Sequence, residues 1–485
     1  MRKNYKTNSV ATLITNIPYE KYVSEIKPDG EYTTSKMCPQ NSGEGNSRII
    51  NKEIEKLSDM GGGVIFIPDG KYKISEIELK SNITLFISRD ATLISLNCEE
   101  SEGSDYPVTH AVVFSENTEN IEITGGGTIC AEGVSYTSEP ENVTPLRPLE
   151  KFNTYNRVIE SRKRIRFGKE GINRHSVISL KNCSNIRVHD VILNESPSWT
   201  FVLDGCNNAD IYNLVIDNNM SVANTDGIDI TGGNNITIRH CFIATADDAL
   251  VLKPIRDEIH NVKIGDCDIC SYANCFKIGT ETSLDISDIM VKNCYFFMPE
   301  NTTRGYSGIA IESADGSNIK NVEISNIEMQ GISSPILVWL GKRLRFGSKK
   351  EIGSIENVKI SNVFAFDAEL PSAITGCESY GKYYKPKNII LENIDVTYRD
   401  TAEDLNIKED VPEWSMADYP DIVRISHIYK NSHMESDYWD LPCYGIFVRY
   451  ASDVQYSKYN CKPRSCNTRP FDFVIKHKTK NRAEP

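Results

Sequence analysis

The chain has 485 residues, of which 39% are hydrophobic, 25% charged and 9% aromatic, and a formal net charge of −13. This is the composition of a folded globular protein and excludes extended disorder. The acidic balance disfavours nucleic acid and anionic membranes as partners. No stretch approaches the ~18 consecutive apolar residues of a membrane span. The basic start MRKNYKTNSV is not followed by the apolar run of a secretory signal. The expectation is a cytoplasmic protein, or a secreted one if a leader precedes this sequence.

In chain order, residues 1–60 read as an extension ending in a helix. Ser47 to Ser58 places Ile49, Ile50, Ile54 and Leu57 on one face. Gly61 to Ile74 (GGGVIFIPDGKYKI) follows as a strand with Pro-Asp-Gly turn chemistry. Segments 80–95 and 108–130 read as further short strands. Residues 131–170 form a long charged excursion carrying Arg157, Arg162, Lys163, Arg164, Arg166 and Lys169, read as a solvated loop or as one wall of a groove.

From there a short phrase recurs: Asn or Asp, then apolar, any, apolar, two residues, apolar. Copies include NIRVHDV from Asn185, NITIRHC from Asn235, NVKIGDC from Asn261, DIMVKNC from Asp288, NVEISNI from Asn321, NVKISNV from Asn357 and NIILENI from Asn388; ADIYNL from Ala209 is weaker. The first apolar residues step by 23, 27, 26, 27, 33, 36 and 31 residues. A drifting period of this size, built from β-type segments with Asn and Gly between them, predicts an all-β solenoid with variable loops. The expected architecture is a right-handed parallel β-helix over residues 61–460, closed at its N-terminal end by the helix, with a tail over 461–485. The stretch from Tyr444 reads as one more coil. Cys241, Cys267 and Cys294 share one repeat position with Val191, Leu214 and Ile327, so they read as small core side chains.

The strand opening each repeat aligns as WTFVLD (from Trp199), DGIDIT (Asp226), DALVLK (Asp248), NCFKIG (Asn274) and SGIAIE (Ser307). Apolar residues fill the third and fifth places, so the fourth and sixth face outward and hold Asp229, Lys253, Lys277 and Glu312. The first place reads Trp199, Asp226, Asp248, Asn274, Ser307, with Asp247 one residue before it. Successive coils lie ~4.8 Å apart, which brings Asp226, Asp247 and Asp248 together. Three such carboxyls cannot all ionise cheaply, so one is expected to keep its proton beside ionised neighbours. One acid and one base are what inverting glycoside hydrolysis requires. A lone Asp at a coil corner is usually a turn former; Asn-Thr-Asp-Gly followed one coil later by Asp-Asp is a stronger signal. His240, between apolar positions, carries little weight as a catalyst.

At these residues the chain resembles glycoside hydrolase family 28, the polygalacturonase group of β-helix proteins, over most of residues 60–400. The resemblance rests on Asn224-Thr225-Asp226-Gly227, on Asp247-Asp248 and on Ser196-Pro197-Ser198-Trp199 one coil earlier. It implies that Asp247 is the general acid, that Asp226 and Asp248 position and deprotonate water, and that the reaction inverts the anomeric centre with no metal or cofactor. Two family motifs are altered. The His of Gly-His-Gly falls on Asn274, and Arg-Ile-Lys, whose cations hold a uronate, falls on Ala310, Ile311 and Glu312. An altered substrate preference is therefore expected.

The resulting expectation is a glycosidase acting on a plant-type, pectin-derived oligosaccharide or polysaccharide, exo-acting if the loops at 131–170 and 400–440 close one end of a groove. Asn224, Trp199, Asp229, Lys253, Asn274, Lys277, Glu281 and Glu312 are the expected substrate contacts. Monomer and homodimer both fit. Two other readings stand beside it: a β-helix lyase, epimerase or glycan-rearranging transferase, for which Lys277 beside the aspartates would be the base, and a non-catalytic glycan-binding solenoid.

Overall fold

The computed structural model describes residues 18–139, 166–299, 305–347, 350–398, 441–462 and 469–476, together with Val411, Glu413 and the short strands Ile428–Lys430 and His433–Glu435. Arg157, Arg162, Lys163 and Arg164, and nearly all of the 400–440 loop, lie outside the described residues.

What holds the repeats in register is the residue that opens each phrase. Asn185, Asn208, Asn235, Asn261, Asp288, Asn321, Asn357 and Asn388 all have φ between 51° and 61°. Asn and Asp tolerate this left-handed conformation better than other side chains with a Cβ. The turn also aims each amide at its counterpart one coil earlier. Asn208 donates to Asn185, Asn235 to Asn208 and Asn261 to Asn235 at 3.3, 3.1 and 2.6 Å. A second ladder runs five residues later, where Asn326 donates to Asn293, Asn362 to Asn326 and Asn393 to Asn362. His240 belongs to that ladder: its φ is 54° and its Nδ1 lies 2.8 Å from Asn213 Oδ1.

Between the corners the chain forms parallel strands, giving the right-handed parallel β-helix. Among the described residues one sheet has twelve strands in coil order, and an eighteen-strand sheet wraps the remaining sides. The twelve-strand sheet carries Phe201–Asp204, Ile228–Ile230, Leu250–Leu252, Asn274–Ile278, Gly305–Ser313 and Ile332–Leu340 as neighbours, each in unshifted register. Phe201, Ile228, Leu250, Phe276 and Ile309 stack in one inward column, and Leu203, Ile230, Leu252, Ile278 and Ile311 in the next, all essentially fully buried in a single core. Each such side chain contributes roughly 1.5–3 kcal/mol by leaving water. Cys241, Cys267 and Cys294 are free thiols buried in the same core.

The helix spans Gly43–Asp59, its N-terminus capped by Ser42, which accepts from the Gly45 amide. Ile50 and Ile54 are buried against the core, with Ile49 and Leu57 partly so. They cover apolar surface that a solenoid otherwise leaves open. At the other end, strand Ser452–Lys462 runs across residue 460, and Asp472–Ile475 pairs with Ile446–Arg449, so the lattice continues into the segment expected as a tail. No helix among the described residues is long and apolar enough to cross a membrane.

Candidate active site

Strict alternation would point the first place of each strand inward, along with the third and fifth. It points outward because the corner takes up two successive inward residues. A Cβ on Gly227 would lie 2.7 Å from Cγ2 of core residue Ile243, and one on Gly308 would lie 2.5 Å from the Met329 sulfur. Ala249 and Cys275, at the same place, are core residues. This slip of phase turns Asp226, Asp248 and Asn274 onto the outer face. Backbone bonds continue through the column: Thr200 N–H to Asp226 O, Gly227 N–H to Asp248 O and Ala249 N–H to Asn274 O, at 2.8–2.9 Å.

Each residue of Asn224-Thr225-Asp226-Gly227 has a local task. Asn224 turns the chain at φ 60°. Buried Thr225 uses its hydroxyl to accept from the Ala246 amide at 3.2 Å, fastening this corner to the next, just before Asp247. Gly227 passes so close to the following coil that a Cβ would sit 2.3 Å from the Ala249 carbonyl oxygen. One carboxylate oxygen from each of Asp226, Asp247 and Asp248 lies within 4.8 Å of the others. Asp226 and Asp248 are buried and Asp247 is half-buried.

The aspartates differ in what compensates them. Lys253 Nζ lies 2.7 Å from Asp226 Oδ2 and 2.8 Å from Asp229 Oδ1, with the Trp199 ring centroid 3.9 Å away. Lys277 Nζ lies 3.1 Å from Asp248 Oδ2 and 4.0 Å from Glu312 Oε2. Asn274 donates its amide to Asp248 Oδ1 at 2.8 Å. Asp247 has no cation within ion-pairing distance among the described residues; its Oδ1 accepts the Asp248 amide at 3.0 Å. Burial, reinforced by Asp226 and Asp248, pushes the Asp247 carboxyl well above the ordinary carboxylate range. Burial also raises Asp226, with Lys253 pulling against it, and raises Asp229 well above its usual value. Burial alone would lower Lys253, but Asp226 and Asp229 override it and keep the ammonium charged. The three aspartates have the spacing a divalent cation would need, but Lys253 and Lys277 already sit on Asp226 and Asp248.

This corrects several expectations. Lys253 and Lys277 do project outward from the sheet, yet each is only 3% exposed and faces carboxylates of the protein. What encloses them is the neighbouring coils: Trp199, Asp226 and Asp229 around Lys253, and Asp248 and Glu312 around Lys277. Asp229 is fully buried beneath Lys253. Trp199 is half-buried with one face taken by the Lys253 ammonium, which leaves less of a platform for a sugar. Glu281 lies at 3.4 Å from both terminal nitrogens of Arg343, and Glu312 is buried against Lys277. Asn224 is exposed and accepts from Arg174 at 3.0 Å.

Two residues escaped the sequence reading. Arg174 braces the Asn224 corner through the Pro197 and Ala223 carbonyls as well, and its charge interacts with Asp226 and Asp247. The pairing of Ile178 with Phe201 would have placed Arg174 two residues before the column that holds Trp199. Arg343 makes a two-pronged pair with Asp315, at 3.1 and 2.5 Å, beyond the strand Ile332–Leu340, where no repeat signal marks it.

The described ends of the 131–170 excursion border this site. Thr137 pairs with Gly168, and Arg166 pairs with Val222, two residues before Asn224. On the opposite side, Ala310, Leu337, Ala373 and Phe447 form an apolar stripe on the outer face, covered by Val411, Leu441 and Cys443.

The profile of the glycosyl hydrolases family 28 matches residues 58–412. A probable polygalacturonase from Vitis vinifera is 24% identical over 307 residues, covering 57% of this chain and 55% of that protein. A probable rhamnogalacturonase E from Aspergillus flavus is 25% identical over 245 residues, covering 50% and 46%. The chain thus spans about half the length of these curated relatives. The exopolygalacturonase of Thermotoga maritima has the same fold, with a TM-score of 0.57 at 20% identity over 79% of this chain and 90% of that one. With the family profile covering well over half of its residues, the chain belongs to the glycosyl hydrolases family 28.

Proposed function

We propose that the chain hydrolyses a glycosidic bond in a pectin-derived oligosaccharide, with Asp247 as general acid and Asp226 and Asp248 as the groups that orient and deprotonate water. The observation that carries this is the unequal compensation of the three: among the described residues a lysine lies against Asp226 and another against Asp248, and none against Asp247. An acid must hold its proton at working pH and a base must not. Asp247, the most exposed of the three, is also the one a leaving-group oxygen can reach.

Inversion at the anomeric centre accords with the family pattern. The oxygens are closer, within 4.8 Å, than the carboxyls of most inverting enzymes, which stand ~6.5–9.5 Å apart, whereas retaining pairs stand ~5–5.5 Å apart. In this reading the water sits between Asp226 and Asp248 and not across a wide gap from Asp247. The apolar cover at Val411, Leu441 and Cys443 on the outer face beyond the site supports release of one sugar at a time. The test is turnover of plant oligosaccharides with the first-formed anomer followed by NMR. Cleavage lost in Asp247→Asn and an inverted product support the mechanism. A retained product refutes the assigned roles, and unchanged turnover in Asp247→Asn refutes the site.

A further inference from the structure

The site lies in a family whose altered motif, on the residues present, replaces a cationic uronate clamp by Ala310 and Glu312. The structure adds what became of the remaining positive charge. Lys253 is shared by two carboxylates and a ring face. Lys277 stands between Asp248 and Glu312. Arg343 is matched by Asp315 and Glu281. Arg174 donates to two backbone carbonyls and to Asn224. Among the described residues, every cation bordering the aspartates is thus directed at a protein acceptor, while Asp247 has no cation within ion-pairing distance. Glu312 is placed by the lattice: it lies one coil beyond Gly279, where a Cβ would come within 3.0 Å of the Glu312 Cβ, so the glycine makes room for it. Among the described residues an incoming carboxylate would meet a cluster rich in acids whose cations are already engaged, in a setting of low dielectric where like charges repel strongly.

We propose that the reactive subsite takes a neutral glycosyl residue and rejects a hexuronate, with Glu312 as the residue that sets this preference. The proposal rests on the glycosidase reading above for its location. A neutral sugar presents hydroxyls that carboxylates accept from well, and it brings no charge to be desolvated.

The experiment uses one mixture of pectic oligosaccharides in two forms, with carboxylates intact and with carboxylates reduced to hydroxymethyl groups. The full-length chain is incubated with the intact mixture and the released sugars are separated by charge. A neutral sugar exceeding hexuronic acid at least ~10-fold is expected, a margin of the size that one uncompensated charge produces; release of mainly hexuronic acid overturns the proposal. Binding is measured separately by retention of both forms on immobilised Asp247→Asn. Preferential retention of the reduced form supports the proposal, and equal or stronger retention of the anionic form, or retention of neither, overturns it. If the reduced form is retained and the wild-type chain cleaves nothing, the glycosidase reading fails and the subsite assignment stands. In the Asp247→Asn background, Glu312→Gln should shift the retention ratio toward the anion by ~10-fold; an unchanged ratio removes Glu312 from the assignment.

Discussion

Replacing Lys253 by Met removes the ammonium from between Asp226 and Asp229 while keeping most of the side-chain volume. The contacts at 2.7 and 2.8 Å each correspond to about 6 kcal/mol of Coulomb attraction at an effective dielectric of about 20. Much of this is offset by the cost of burying the ammonium. Truncating one partner of a buried pair typically costs ~3–5 kcal/mol, because the stranded charge remains. That cost is relieved if the carboxylates take up protons. Burial already raises both Asp226 and Asp229, and without Lys253 both rise further. A carboxyl whose folded-state pKa lies above its unfolded value contributes stability at low pH and loses it as pH rises through the folded value. The variant should therefore be ~3–5 kcal/mol less stable than wild type near pH 7.5, with a deficit that shrinks toward pH 5. Turnover should fall ~100-fold or more near neutrality, and the acid limb of the pH–rate profile should move up, because Asp226 must lose its proton to act on water. Urea unfolding at the two pH values and a kcat profile test both effects. A variant within ~1 kcal/mol of wild type at pH 7.5, with its acid limb unmoved, would show that Lys253 does not govern Asp226.

Asp247→Asn should lower turnover by ~10²–10⁴-fold, the usual contribution of a general acid. It should also stabilise the fold relative to wild type increasingly as pH rises from 4 to 8, by ~1.4 kcal/mol per unit of the upward shift it removes; a flat difference across urea curves would contradict the raised carboxyl. Gly227→Ala drives a Cβ against the Ala249 carbonyl and should cost ~2–4 kcal/mol together with most activity, measured by thermal unfolding and initial rates. Asn235→Ala loses its ladder bonds to Asn208 and Asn261 and pays ~1–2 kcal/mol for left-handed backbone. Asn235→Gly should recover the backbone part and not the rest, so a Gly variant as stable as wild type would refute the ladder account.

The lattice was legible because a solenoid writes its spatial neighbours at nearly regular intervals. Once the phrases were aligned, the columns holding Asp226, Asp248 and Asn274, and the inward pairs such as Ile228/Ile230, followed from strand geometry alone. The recurrent Asn was visible too, though its positive φ was not. The surroundings of the lysines were hidden for a different reason. Alternation tells which face of a sheet a side chain leaves from, not what lies over that face. Val411, Leu441 and Cys443 come to the outer face from far along the sequence. Arg343 pairs with Asp315 from a segment without a repeat signal. Non-local covering of this kind has no one-dimensional signature, and the pairing of Lys253 and Lys277 with Asp226 and Asp248 across coils was not read from the alternation that named them substrate contacts.

The proposed separation of acid from base rests on the same lattice. Parallel coils stack equivalent positions ~4.8 Å apart, so acids in one column repel unless cations come from another. Here each cation comes from the coil that follows: Lys253, at the sixth place, reaches Asp226 in the coil before it, and Lys277, at the fourth place, reaches Asp248 in the coil before it. A residue within the column is thus served by the next coil's outward rows. Asp247 lies one residue off the column, in the corner, with no cation within ion-pairing distance among the described residues. Burial, reinforced by Asp226 and Asp248, raises its carboxyl against the pull of Lys253 and Lys277.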